Sequence, residues 1–157
     1  MKRIMLLAIW MSLFCATTLR AQEERAWSIN VGGGYMATPS FSTDMGVLNV
    51  GVQRHLSKHF SWGGGTGAYY CDGVLIPVYA DVRGYFPIED SKLSLIGIAR
   101  TGVCIHTGWG TVIVGGELLP GAGIKITDSS FLHLNIGLGF YDGDIMGTIQ
   151  LGYSLGL

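Results

Sequence analysis

The chain has 157 residues, 48% of them hydrophobic and 13% charged, with 25 glycines and four prolines. So apolar a chain is not disordered, its glycines lack the triplet period of collagen, and a net charge of −1 gives no footprint for nucleic acid. The length suits one domain.

Residues Met1 to Ala21 read as a cleaved secretory signal peptide. Lys2 and Arg3 open it, Ile4 to Cys15 form its apolar core, and Leu19-Arg20-Ala21 precedes the cut before Gln22. The apolar run is shorter than the ~20 residues of a spanning helix. The bulky Phe14 before Cys15 argues against lipid attachment. Without this segment, residues 22–157 carry seven basic and eleven acidic groups, a charge of −4. Two cysteines remain, Cys71 and Cys104. In an exported chain they form one disulfide, or they serve as two unpaired small apolar residues.

From Trp27 onward the period is two. Trp27, Ile29, Val31 and Tyr35 oppose Ser28, Asn30, Gly32 and Gly34. Leu48, Val50 and Val52 oppose Asn49, Gly51 and Gln53. Phe60, Trp62, Ala68 and Tyr70 oppose Ser61, Gly63, Gly65, Gly67 and Tyr69. Leu75 to Phe86 sets Ile76, Val78, Ala80, Val82 and Phe86 against Tyr79, Asp81, Arg83 and Tyr85. Leu93 to Ile105 is less regular, with Arg100, Gly102 and Cys104 on its polar or small face. In Val112 to Ile126, Val112, Val114, Leu118, Ala122, Ile124 and Ile126 oppose Gly115, Glu117, Gly121, Gly123 and Lys125; Pro120 lacks a ladder donor and predicts a local defect or a bulge there. Leu132, Leu134, Ile136, Leu138 and Phe140 oppose His133, Asn135, Gly137 and Gly139. Ile145 to Leu157 alternates throughout, and Asp142-Gly143-Asp144 before it signals a tight turn.

These eight segments are joined by short connections, so every chain neighbour forms a hairpin. The apolar face is aliphatic and the other face carries glycine, serine, asparagine and few charges, too few for a soluble surface, which is typically ~25–35% charged. The expected architecture is therefore an all-β, eight-stranded, antiparallel up-and-down transmembrane barrel. Its greasy side faces lipid, and its lumen is narrow enough to fill with side chains. Asp81, Arg83, Arg100, Glu117 and Lys125 then point inward as a lumenal charge network, with Arg100 and Glu117 on neighbouring strands as the favoured pair. Trp27, Phe60, Trp62, Phe86 and Tyr153 fall toward the end that holds the termini, and Tyr35, Tyr70, Phe140 and Tyr141 toward the other. They read as two interfacial aromatic girdles. Trp109, centred in a short loop, fits the outer interface.

Eight hairpin-linked strands behind a signal peptide resemble the small outer-membrane barrels of the OmpA/OmpX type. The stretch from Ile76 through Pro77, Tyr79, Asp81 and Arg83 to Phe86 is similar to a strand of the Bacteroidetes-type outer membrane protein β-barrel family. The resemblance implies a bacterial outer-membrane location with both termini periplasmic. It also implies outer-membrane lipids and lipopolysaccharide as surroundings, and insertion by the outer-membrane assembly machinery. Such barrels usually end in Phe or Tyr, whereas this chain ends in Leu157.

No catalytic, cofactor or metal site is expected. A lipid deacylase of this architecture needs a His and a Ser on the lipid-facing wall. Here His133-Leu134-Asn135 offers no nucleophile, and His133 shares the polar face near the periplasmic end. His55, His59 and His106 make no zinc ligand set. The expected role is a structural envelope barrel whose charges plug the lumen. The alternatives are a narrow passive channel in which the same charges act as a gate, and a soluble exported barrel that binds an apolar ligand.

Overall fold

Strands of alternating polarity hide all their backbone polar groups without water only if each pairs with its neighbour and the last returns to the first. The computed structural model, which describes residues 27–37, 44–70, 73–108 and 110–157, has this arrangement. The strands are β1 (Trp27–Ala37), β2 (Met45–His55), β3 (Phe60–Tyr70), β4 (Val74–Pro87), β5 (Leu93–His106), β6 (Val112–Thr127), β7 (Ser130–Tyr141) and β8 (Asp144–Gly156). Each pairs antiparallel with the next, and β8 pairs antiparallel with β1, so the barrel closes without an exposed edge. The expected signal peptide, Cys71 and Trp109 lie outside the described residues.

Two-residue turns at opposite ends show why the hairpins are so short. Asp142 and Gly143 both have positive φ, 51° and 89°, as a turn that matches the twist of its flanking strands requires. The β6–β7 turn is Asp128-Ser129, closed by the pair Thr127↔Ser130.

Of the two outcomes expected at Pro120, the structure shows the local defect and not the bulge. The β6–β7 register is the same on both sides of Pro120, and the shift falls between Lys125 and Thr127 instead. Pro120 interrupts the ladder toward β7 without inserting a residue, while its pairing with Gly97 of β5 persists. Asn135 Nδ2–H donates to the Leu119 carbonyl at 3.1 Å beside the gap. Pro77 leaves a similar gap toward β3, where the Thr66 hydroxyl donates to the Pro77 carbonyl at 2.7 Å. At each place a side chain of the partner strand donates to a carbonyl of the proline's own strand and ties the two strands across the gap.

The large aliphatic residues point away from the axis. Val50, Val78, Val114, Leu118, Ile136, Ile149 and Leu151 are exposed on the outer wall, while Asn30, Asn49, Gln53, Asp81, Glu117, Asn135 and Gln150 are buried inside. The lumen is nonetheless not uniformly polar. Toward the termini, Ile96, Ile98 and Leu119 form a buried apolar layer with Tyr85 and Phe131 packed on it. Toward the opposite end, Met36, Met45, Val47, Tyr69, Leu75, Cys104 and Met146 form another. These layers explain the irregular segments: β5 and the start of β2 have apolar residues on both faces, which erases the alternation. For that reason β2 begins at Met45, before the alternating stretch from Leu48.

Large inward side chains fit because the neighbouring strand offers glycine beneath them. A Cβ on Gly115 would collide with the Tyr141 ring, one on Gly123 with Phe131, and one on Gly152 with His133.

Candidate functional site

The centre of the lumen is set by register. Asp81 of β4 stands opposite Arg100 of β5, and Arg100 opposite Glu117 of β6, so three charges of alternating sign share one level. Arg83 lies two residues along β4 on the same inward face. The Arg100 Nη1–H donates to Glu117 Oε2 at 2.7 Å, and Arg100 Nη2 is 4.0 Å from Asp81 Oδ2. Arg83 grips that same Asp81 oxygen with Nη2 at 2.9 Å and Nε at 3.1 Å. Its Nη1–H donates to Asn30 Oδ1 at 2.9 Å. The four side chains are at most 5% exposed and their charges sum to zero.

Neutral polar groups complete the shell. Glu117 accepts from four donors: Arg100, the Tyr69 hydroxyl at 2.9 Å, the Tyr141 hydroxyl at 2.8 Å and Gln150 Nε2–H at 3.1 Å. Asp81 also accepts from Gln53 Nε2–H. Gly63 stands between Gln53 and Asp81 in the ladders, and the absence of a side chain there lets the amide reach across β3. The Arg100 guanidinium carbon sits 4.2 Å from the centre of the Tyr79 ring, a cation–π contact. Burying ions is costly, and this density of paired charge and donors offsets the cost.

Of the five charges expected in the lumen, the structure brings together Asp81, Arg83, Arg100 and Glu117. Lys125 is the correction: its side chain is 53% exposed and pairs with Asp128 at 3.0 Å. It has inward parity but lies near the end of β6, at the open mouth of the lumen, where water is available. Sequence reading placed Tyr141 in an interfacial girdle, whereas it points into the lumen and donates to Glu117, and it missed Tyr69, Gln53, Asn30 and Gln150 as members of the network. Their only signal is inward parity, and parity alone does not tell which residues share a level.

Among the remaining candidates, Cys104 is a buried free cysteine in the apolar layer away from the termini. Trp27, Tyr35, Trp62, Tyr70, Phe86, Phe140 and Tyr153 all lie exposed on the outer wall. Arg54 packs over the Trp27 ring at 5.9 Å on the side of the termini. His133 is buried in the lumen beside Asn135 and not on the wall. At the end holding the termini a cavity of about 330 Å³ opens to solvent, lined among others by Ser28, His55, Lys58, Lys125, Tyr85 and Phe131. Its floor residue Phe131 packs against the apolar layer of Ile96, Ile98 and Leu119.

A closed antiparallel β-barrel is also what comparison with solved structures returns. The chain is similar to Neisserial surface protein A, with 11% identity over 83% of this chain and 96% of that one, at a TM-score of 0.65. It is similar to the N-terminal β-barrel domain of Pseudomonas aeruginosa OprF, with 12% identity over 82% and 97% and a TM-score of 0.57. A chain from the de novo design of transmembrane β-barrels matches at 14% identity over 87% of this chain and 98% of that one, with a TM-score of 0.54. The shared feature is the fold of small transmembrane β-barrels. No family model matches the sequence, and no curated protein does.

Proposed function

We propose that this protein is a small integral barrel of the bacterial outer membrane with a structural envelope role and a lumen closed to ions. Residues 1–21 export it, and the β1 and β8 termini face the periplasm. Its wall is bathed in outer-membrane lipid and lipopolysaccharide, and the assembly machinery of that membrane inserts it. It performs no catalysis. One observation carries the reading: a neutralised ion network, each member nearly fully buried, lies between two apolar layers inside a wall whose exterior is aliphatic. An apolar-ligand carrier would instead crowd its aliphatic side chains around the axis.

Planar-bilayer recording from purified protein tests the closed lumen. No steady unitary current is expected, and a steady current would replace the plug with a channel. Location is tested by fractionation: the protein should require detergent for extraction and migrate differently on a gel with and without boiling. Recovery from the periplasm without detergent would overturn the membrane assignment.

A further inference from the structure

Among the described residues, three buried polar atoms in the lumen have no hydrogen-bond partner: Asn30 Nδ2, Arg100 Nε and His133 Nε2. Their residues are at least nine-tenths buried and lie on three strands, β1, β5 and β7. All three line one cavity of about 20 Å³. A cavity that holds a water needs roughly 10–15 Å³ on the same measure, and a buried water typically makes about three hydrogen bonds. An unmet buried donor or acceptor costs about 1–3 kcal/mol, so three around one space call for a common partner.

The chemistry of that partner follows from the neighbours. Asn135 donates from Nδ2 to the Leu119 carbonyl, which turns its Oδ1 toward His133 Nδ1. The His133 ring is buried against Asn135 and Phe131 with no carboxylate among these contacts, so it is neutral, carries its proton on Nδ1 and presents a bare lone pair at Nε2. Asn30 Oδ1 is taken by Arg83 and by the Ser154 hydroxyl, which leaves the Asn30 Nδ2–H₂ group as the unmet donor. Arg100 Nε–H is a donor by nature. The site thus offers two donors and one acceptor. A halide would face the Nε2 lone pair, and a metal or ammonium ion would face two N–H groups.

We propose that this cavity is a binding site for one water molecule. That water accepts from Asn30 and Arg100, donates to His133, and ties β1, β5 and β7 together beside the ion network. The site stands on the donor and acceptor count and does not depend on the membrane assignment. Ile98 lines the cavity and belongs, with Ile96 and Leu119, to the apolar layer toward the termini, so this layer is what keeps the water from the open mouth.

Water-selective nuclear Overhauser spectroscopy on the isotope-labelled protein in lipid nanodiscs tests the site. Cross-peaks to water are expected at the His133 ring, the Asn30 side-chain amide and Arg100 Nε–H, unchanged when chloride is exchanged for bromide. Their absence at all three groups overturns the proposal, and a bromide-dependent shift reassigns the site to an anion. The seal is tested separately by hydrogen exchange of Arg100 Nε–H. Leu119→Ala should speed it by about tenfold or more, because it lowers the cost of local opening, while the outer-wall control Leu134→Ala should not. An equal rate in both variants would remove Leu119 from the barrier. Because the water cross-peaks are read on the unaltered protein, they decide the site even if Leu119→Ala fails to fold.

Discussion

Glu117 accepts hydrogen bonds from four other side chains in the lumen. It meets one guanidinium, two phenols and one amide, from four different strands. Truncation to alanine strands a buried Arg100, and breaking a buried pair by removing one partner costs roughly 3–5 kcal/mol. Glu117→Ala should therefore lower the denaturant midpoint of the barrel in detergent by a corresponding amount. The double variant Arg100→Met with Glu117→Gln should recover a large part of that loss, since replacing both ions removes the stranded charge. If the double variant is no more stable than Glu117→Ala alone, the cost does not come from the orphaned guanidinium. Lys125 is the contrast. It has the same inward parity, but its pair with Asp128 is solvent-exposed, so Lys125→Ala should leave the unfolding midpoint unchanged within error.

At the level of the strand, the outer face decides which medium the barrel is built for. Leu151 is in the middle of β8, between Leu134 of β7 and Gly33 of β1, and is 53% exposed. An arginine on the lipid face near the bilayer midplane costs about 2–4 kcal/mol. Leu151→Arg should lose stability of that order when folding is measured into bilayers. A loss no larger than that of a substitution in a solvent-exposed turn would contradict the lipid-facing assignment. Hairpin geometry gives a second expectation. Gly143 has φ of 89°, and an L-residue in the left-handed region costs about 1–2 kcal/mol. Gly143→Ala should destabilise the β7–β8 hairpin by about that amount, read as a lower unfolding midpoint. Gly97 is a suitable comparison, because a Cβ there meets nothing within 4 Å and its φ is not in that region.

For the molecule as a whole, closure and sealing are properties no single strand has. The barrel closes because β1 and β8 pair, and the lumen seals because residues from β1, β2, β3, β4, β5 and β8 meet in one apolar layer, with β5 and β6 supplying the other. The sequence by itself determined the number of strands, their hairpin order and which face of each looks outward. A period of two is a local signal, and a one-residue slip would turn an entire aliphatic face the wrong way. Asp81, Arg83, Arg100 and Glu117 were legible as inward residues for that same reason, and the Arg100–Glu117 pair because β5 and β6 are chain neighbours. Register and the stagger of a closed sheet decided the rest. They put Tyr69, Tyr141 and Gln150 at the height of Glu117 across 24 to 48 residues of chain, and placed Lys125 at the open mouth of the lumen. They also stacked apolar layers above and below the ions, because height along the axis depends on how all eight strands are offset from one another, and no stretch of one strand encodes that.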